Sequence, residues 1–131
     1  MTTGILIVAH KPLAGAFLKV ASGIYGHNRL CHALDIDSDE ACSSLIKKLN
    51  QAYLSLGTSE TLVLTDVSGA TPSNVAKTLL AQPNVQILSG LSLPLLLKML
   101  CYQEQSLSVM VSKAKEINVG CLEMEKDRVE S

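Results

Sequence analysis

The sequence predicts an α/β domain, a mainly parallel sheet covered by helices on both faces, and three observations carry that expectation. Gly4 to Ala9 is an uninterrupted apolar run with β-branched residues, as expected for a strand buried on both sides. Segments with helical apolar spacing follow this run and the later strand-like runs. Glycines and prolines punctuate the boundaries. Alternation of this kind builds parallel strands joined by right-handed crossovers.

The elements follow in order. After the first strand come His10 and Lys11, and Pro12 stands where a helix can open. Leu13, Phe17, Val20, Ala21 and Ile24 fall on one face of that helix, and Gly26 is placed to end it. Leu30 to Ile36 fits a second strand. Asp37, with Glu40 three residues on, reads as a variant capping box. The helix it introduces carries Leu45, Ile46, Leu49, Ala52, Tyr53 and Leu56 as its apolar stripe and closes at Gly57. Thr61 to Thr65 is the third strand, ending at Asp66.

Thr71-Pro72 reads as a helix N-cap followed by a first-turn proline. Val75, Ala76, Leu79 and Leu80 share one side of the helix beyond. Val85 to Leu88 is a fourth strand. Leu95 to Tyr102 is a short helix entered through Pro94, and a further helix from Ser106 carries Leu107, Met110, Val111 and Ala114. Ile117, Val119 and Cys121 alternate with small or polar residues, which leaves a short antiparallel fifth edge strand open. Residues 125–131 read as a charged, mobile tail. The whole chain, 1–131, is read as one domain.

Composition narrows the function classes. Charged residues make up 18% of the chain and the net charge is −1, so no basic stripe is available to neutralise a nucleic-acid backbone. One Phe and no Trp supply little for stacking on bases. Cys31, Cys42, Cys101 and Cys121 are widely spaced, and in so apolar a chain they read as reduced, buried thiols of a cytoplasmic protein. His27 and His32 have no ligand-like spacing, so no metal and no cofactor is expected. Leu91 to Leu100 contains Lys98 and is far short of the roughly 20 residues a membrane span needs. Glycine-rich dinucleotide and phosphate-loop motifs and the G-x-S-x-G elbow are missing.

Four strands in this pattern favour the flavodoxin-like order 2-1-3-4, in which ligands bind beyond the strand ends where strands 1 and 3 diverge. That rule places His10 beside Asp66. A carboxylate bonded to one ring nitrogen leaves the other free as a nucleophile. Ser68, Gly69 and Thr71, at the start of the next helix, are candidate donors to a phosphate. Each of these residues also has an ordinary reading. His10 fits a loop histidine, Asp66 a turn cap, Thr71-Pro72 plain helix capping, and Lys11 a solvated lysine.

Three segments carry a resemblance: Gly4-Ile-Leu-Ile-Val-Ala-His10, Thr65-Asp66-Val-Ser-Gly69-Ala-Thr71-Pro72-Ser-Asn74, and Ser89-Gly90-Leu-Ser-Leu-Pro94. In this order they resemble the mannose-family enzyme IIA domains of the bacterial sugar phosphotransferase system, over Gly4 to about Gly120. The resemblance implies that His10 is phosphorylated on Nε2 by the carrier protein HPr and donates to an enzyme IIB. It also implies that Asp66 bonds the other ring nitrogen, and that the domain forms a homodimer. Ala70, Lys11 and Ser92 depart from the family pattern. Two other readings stay open. One is the phosphocarrier subunit of a dihydroxyacetone kinase, although Pro72 and Asn74 favour the sugar-transport type. The other is a regulatory module whose phosphorylation state signals without transport.

Overall fold

In the computed structural model, which describes residues 2–120, the first apolar run lies in the interior of a four-stranded parallel sheet. Strand β1 (Gly4–His10) lies between β2 (Cys31–Ile36) and β3 (Thr61–Thr65), and β4 (Val85–Ser89) completes the order β2-β1-β3-β4. Ile7 stands opposite Ala33 on one side and Leu64 on the other, and Leu64 opposite Leu88. The inner strands are buried along their length except at His10, while the edge strands β2 and β4 are partly exposed. The unbroken apolar run is therefore the signature of an inner strand with both faces covered.

Five helices cover the sheet: α1 (Leu13–Tyr25), α2 (Cys42–Leu56), α3 (Thr71–Ala76), α4 (Leu93–Cys101) and α5 (Leu107–Gly120). Alternate residues of the inner strands feed two cores. Ile5, Ile7, Ala9, Leu62 and Leu64 pack with Ala14 and Ala21 of α1, Leu96 and Met99 of α4, and Met110 of α5. Leu6, Val8 and Val63 pack with Leu45 and Leu49 of α2 and with Val75 of α3. Right-handed crossovers account for this division. The chain steps from β1 to β2 in one direction and from β2 through β3 to β4 in the other, which sends α1 to one face and α2 and α3 to the opposite one.

Several local expectations are corrected. Ile117 and Val119 belong to helix α5, not to a fifth strand, and Ile117 packs against the first core. Cys121 and the 125–131 tail lie outside the described residues. The Asp37–Glu40 capping box does not form. Asp37 instead receives the Asp39 amide in a turn, and Glu40 receives Ser44 Oγ and pairs with Lys48. Helix α2 starts later, at Cys42, with Ala41 at the cap. Ala70, not Thr71, occupies the cap of α3, and Pro72 is its second residue. Helix α3 passes at once into a 3₁₀ turn, Lys77–Ala81, which turns Leu80 outward. Ser92 caps α4 through the Leu95 amide, so that helix begins at Leu93 rather than Leu95.

Helix α1 buries Ala14 and Ala21 but leaves Leu13, Val20 and Ile24 exposed, so its buried face is rotated from the expected one. Cys31 is buried, and burial pushes its thiol up to about 12, whereas Cys42 and Cys101 are exposed. Among the described residues, no helix is long and apolar enough to cross a membrane.

The burial pattern gives a direct stability contrast. Ile7→Ala, at a fully buried position of β1, is expected to cost about 2–5 kcal/mol. Leu54→Ala, at a side chain 72% exposed, is expected to cost about 0.5 kcal/mol or less. Chemical denaturation of the two variants checks both. Similar losses would show that β1 is not the interior strand.

Candidate functional site

The sheet itself brings the two candidate residues together. Val8 of β1 lies opposite Thr65 of β3, so His10 and Asp66 leave neighbouring parallel strands at the same end. Asp66 Oδ2 accepts from the His10 backbone N–H at 3.1 Å and lies 2.7 Å from His10 Nδ1. Asp66 Oδ1 accepts from the Val67 amide at 3.0 Å, and the Asp66 carbonyl accepts from the Gly90 amide at 3.2 Å. An ionised carboxylate can only accept, so Nδ1 is the donor and Nε2 of the neutral ring keeps its lone pair. The side chains are unequally exposed, His10 at 39% and Asp66 at 9%. The ring is thus held from within and open to a partner from without.

The electrostatics agree with an ionised Asp66. Burial pushes its carboxyl upward, but the His10 ring, the His10 and Val67 amides and the charge of a protonated His10 outweigh burial and hold it below the usual carboxylate range. Next along the chain, Ser68 and Gly69 occupy the exposed turn between β3 and α3, and Thr71 is the exposed first residue of α3. Gly69 adopts φ 83°, a left-handed conformation that a side chain resists. The amides of Thr71 and Ser73 precede the first intrahelical bond, from Asn74 N–H to the Ala70 carbonyl. Asn74 also ties its own side chain back to the Gly69 carbonyl at 3.3 Å. The turn is thereby braced, with Ser68 and Thr71 both exposed.

Other contacts matter that the residue pattern did not single out. Buried Thr65 shares a 2.9 Å hydrogen bond with Ser89, joining the ends of β3 and β4. Leu91 N–H donates to the Thr65 carbonyl, so the Ser89–Leu91 segment braces the backbone at Asp66. Asp35 of β2 reaches the first turn of α1 through the Gly15 amide. The one available signal for Asp35 was an acidic residue set between Leu34 and Ile36 of a strand. Among the described residues, no group of three His, Cys, Asp or Glu side chains is gathered to hold a metal.

The open α/β sheet of order 2-1-3-4 is also the architecture of solved sugar-phosphotransferase IIA structures. The mannose/sorbose-specific IIA subunit of Enterococcus faecalis superposes with a TM-score of 0.86 at 20% identity, covering 97% of each chain. A IIA protein associated with the fucose utilisation operon of Streptococcus pneumoniae gives a TM-score of 0.74 at 26% identity, covering 88% of this chain and 93% of that one. In sequence, residues 4–115 match the family of the PTS system fructose IIA component. The sorbose-specific EIIA component of Lacticaseibacillus casei is 31% identical over 115 residues, covering 86% of this chain and 83% of that protein. The chain belongs to this mannose/fructose-type IIA family and is a IIA component of the sugar phosphotransferase system.

The depressed Asp66 carboxyl predicts how acid acts on the fold. A carboxyl whose folded pKa lies below its unfolded value, about 3.9 for Asp, contributes its full stability above that value. The contribution declines as pH falls through the folded pKa. The stability gap between parent and Asp66→Asn should therefore still be present at about pH 5. Below about pH 4 it should close. Denaturation midpoints across this range check it. A gap that persists undiminished well below about pH 4 would contradict an ionised Asp66.

Proposed function

We propose that this IIA component is a phosphocarrier, accepting a phosphoryl group from phospho-HPr on His10 Nε2 and passing it to an enzyme IIB. The observation that carries this reading is the 2.7 Å contact of Nδ1 with a buried-side, ionised Asp66, which leaves Nε2 as the exposed nucleophile. The Nε2 lone pair attacks phosphorus as the bond to the donor's ring nitrogen breaks, and that electron pair returns to the donor. The acceptor ring becomes cationic, with its Nδ1 proton retained and facing the Asp66 carboxylate. Transfer to the next carrier reverses these steps.

Ser68, Gly69 and Thr71 then serve as donors to the phosphoryl oxygens. Their support is an exposed turn that directly follows Asp66 and contains amides unclaimed by the helix. Lys11, exposed and next to His10, adds a cation where a group of roughly −1.5 to −2 charge arrives. A homodimer, the assembly that the family resemblance implies, is proposed for this chain. Whether the phosphoryl group leaves for an enzyme IIB separates a transport role from a purely signalling one.

Incubation with phosphoenolpyruvate, enzyme I and HPr should add one acid-labile phosphoryl group, mapped to His10 by mass spectrometry. His10→Ala should take up none, and a stable phosphate on Ser68 or Thr71 would sink the proposal. Asp66→Asn should fold and yet transfer roughly 10–100-fold more slowly, the usual cost of losing a group that orients a reactive ring. For Lys11, the lifetime of the phosphorylated parent should exceed that of Lys11→Gln at low salt and converge on it at high salt. Equal lifetimes at both salts would make Lys11 a bystander.

A further inference from the structure

Beyond the histidine–aspartate pair, a second carboxylate is tied to the segment that carries His10. Asp35 stands opposite Ala9 on the neighbouring strand β2, and its Oδ1 accepts from the Gly15 backbone N–H at 3.1 Å. Gly15 is the third residue of α1, whose start has neither a capping side chain nor an acidic residue in its first turn. First-turn amides have no partner within their own helix. Strand β2 supplies from outside what the sequence of α1 lacks.

A glycine leaves this contact its room. A Cβ built at residue 15 would stand 3.0 Å from Asp35 Oδ2, inside the ordinary contact distance of about 3.5–4.0 Å. The sequence therefore accepts a poor helix former in the first turn of α1, where alanine would favour the helix more. The glycine makes sense once the carboxylate is taken into account.

The segment from His10 to Gly15 carries the chain from sheet to helix, and three hydrogen bonds pin it. His10 N–H donates to Asp66 Oδ2, Lys11 N–H to the Ile36 carbonyl at 3.0 Å, and Gly15 N–H to Asp35 Oδ1. The first two fix where the segment leaves the sheet and the third fixes where it enters the helix. Because Asp66 bonds both the backbone and the ring of His10, the direction of the ring follows the path of this segment.

We infer that Asp35 is a positioning residue for His10. By holding the first turn of α1 against β2, it keeps the imidazole aligned on Asp66 with Nε2 facing outward. The inference rests on the reading of His10 as the phosphoryl carrier, but the alignment is a property of the free protein.

Three variants test it. Asp35→Ala removes the acceptor, Asp35→Asn keeps an Oδ1 in place, and Gly15→Ala crowds the carboxylate while favouring the helix. For each folded variant, the ¹⁵N–¹H spectrum of the His10 ring and the single-turnover transfer from phospho-HPr are measured beside the melting temperature. Asp35→Asn should match the parent in ring spectrum and rate. Asp35→Ala and Gly15→Ala should lose the fixed Nδ1–H tautomer. Their transfer should slow by about tenfold, within the roughly 100-fold that an ångström of misplacement can cost.

A parent-like ring spectrum and rate in Asp35→Ala, even with a lowered melting temperature, would reduce Asp35 to a helix cap and overturn the inference. So would Asp35→Asn behaving like Asp35→Ala, since the effect would then lie in charge rather than in the hydrogen bond. If Asp35→Ala fails to fold, Gly15→Ala decides in its place. If the parent itself accepts no phosphoryl group, the functional reading fails while the ring spectra still decide the role of Asp35.

Discussion

A carboxylate that accepts two amide hydrogen bonds and one from an imidazole is held in one place, and it holds the imidazole in turn. Asp66 is in that position, receiving the His10 ring, the His10 amide and the Val67 amide. Its depressed carboxyl keeps it ionised across the neutral range, so in the neutral ring the proton sits on Nδ1 and Nε2 keeps its lone pair. The sheet and the neighbouring strand end serve this contact. The parallel register sets the two residues side by side, and the Gly90 amide anchors the Asp66 carbonyl from the next strand's end. The Thr65–Ser89 hydrogen bond then joins the strand ends beneath it.

The fold explains why the site is at the surface. Both inner strands end at the carboxyl edge of the sheet, and the chain turns away toward opposite faces, α1 to one and α3 to the other. The divergence exposes the His10 ring while keeping its partner nearly buried. An acceptor that exchanges a group with another protein needs this asymmetry, because the reacting nitrogen must be reached from outside while the orienting carboxylate stays shielded from water. Shielding also strengthens the charge-assisted hydrogen bond between them.

Much of this was legible in the sequence, for identifiable reasons. Strands buried on both faces leave continuous apolar runs, so Gly4–Ala9 and Thr61–Thr65 were read within a residue of their observed limits. Strand order followed from alternation, and strand order placed His10 beside Asp66. What failed was local. Asp37 and Glu40 spend their side chains on a turn and on Ser44 and Lys48, so a capping pattern in the sequence made no cap. The period-2 alternation at Ile117 and Val119 is too short to outweigh the continuing helix α5. The expected buried face of α1 was also displaced, because apolar spacing cannot distinguish a core stripe from an exposed apolar one such as Leu13, Val20 and Ile24. The role of Asp35 was not legible from its place in the strand alone, because its partner is a backbone amide on another element and no residue pattern records that.

The central claim is that Asp66 selects Nε2 as the nucleophile, and nuclear magnetic resonance of the phosphorylated protein tests it most directly. With ¹⁵N-labelled histidine, the account predicts a single phosphoryl group bonded to His10 Nε2 and a slowly exchanging proton on Nδ1. A phosphoryl group bonded to Nδ1 would contradict it, since that nitrogen could then no longer donate to Asp66.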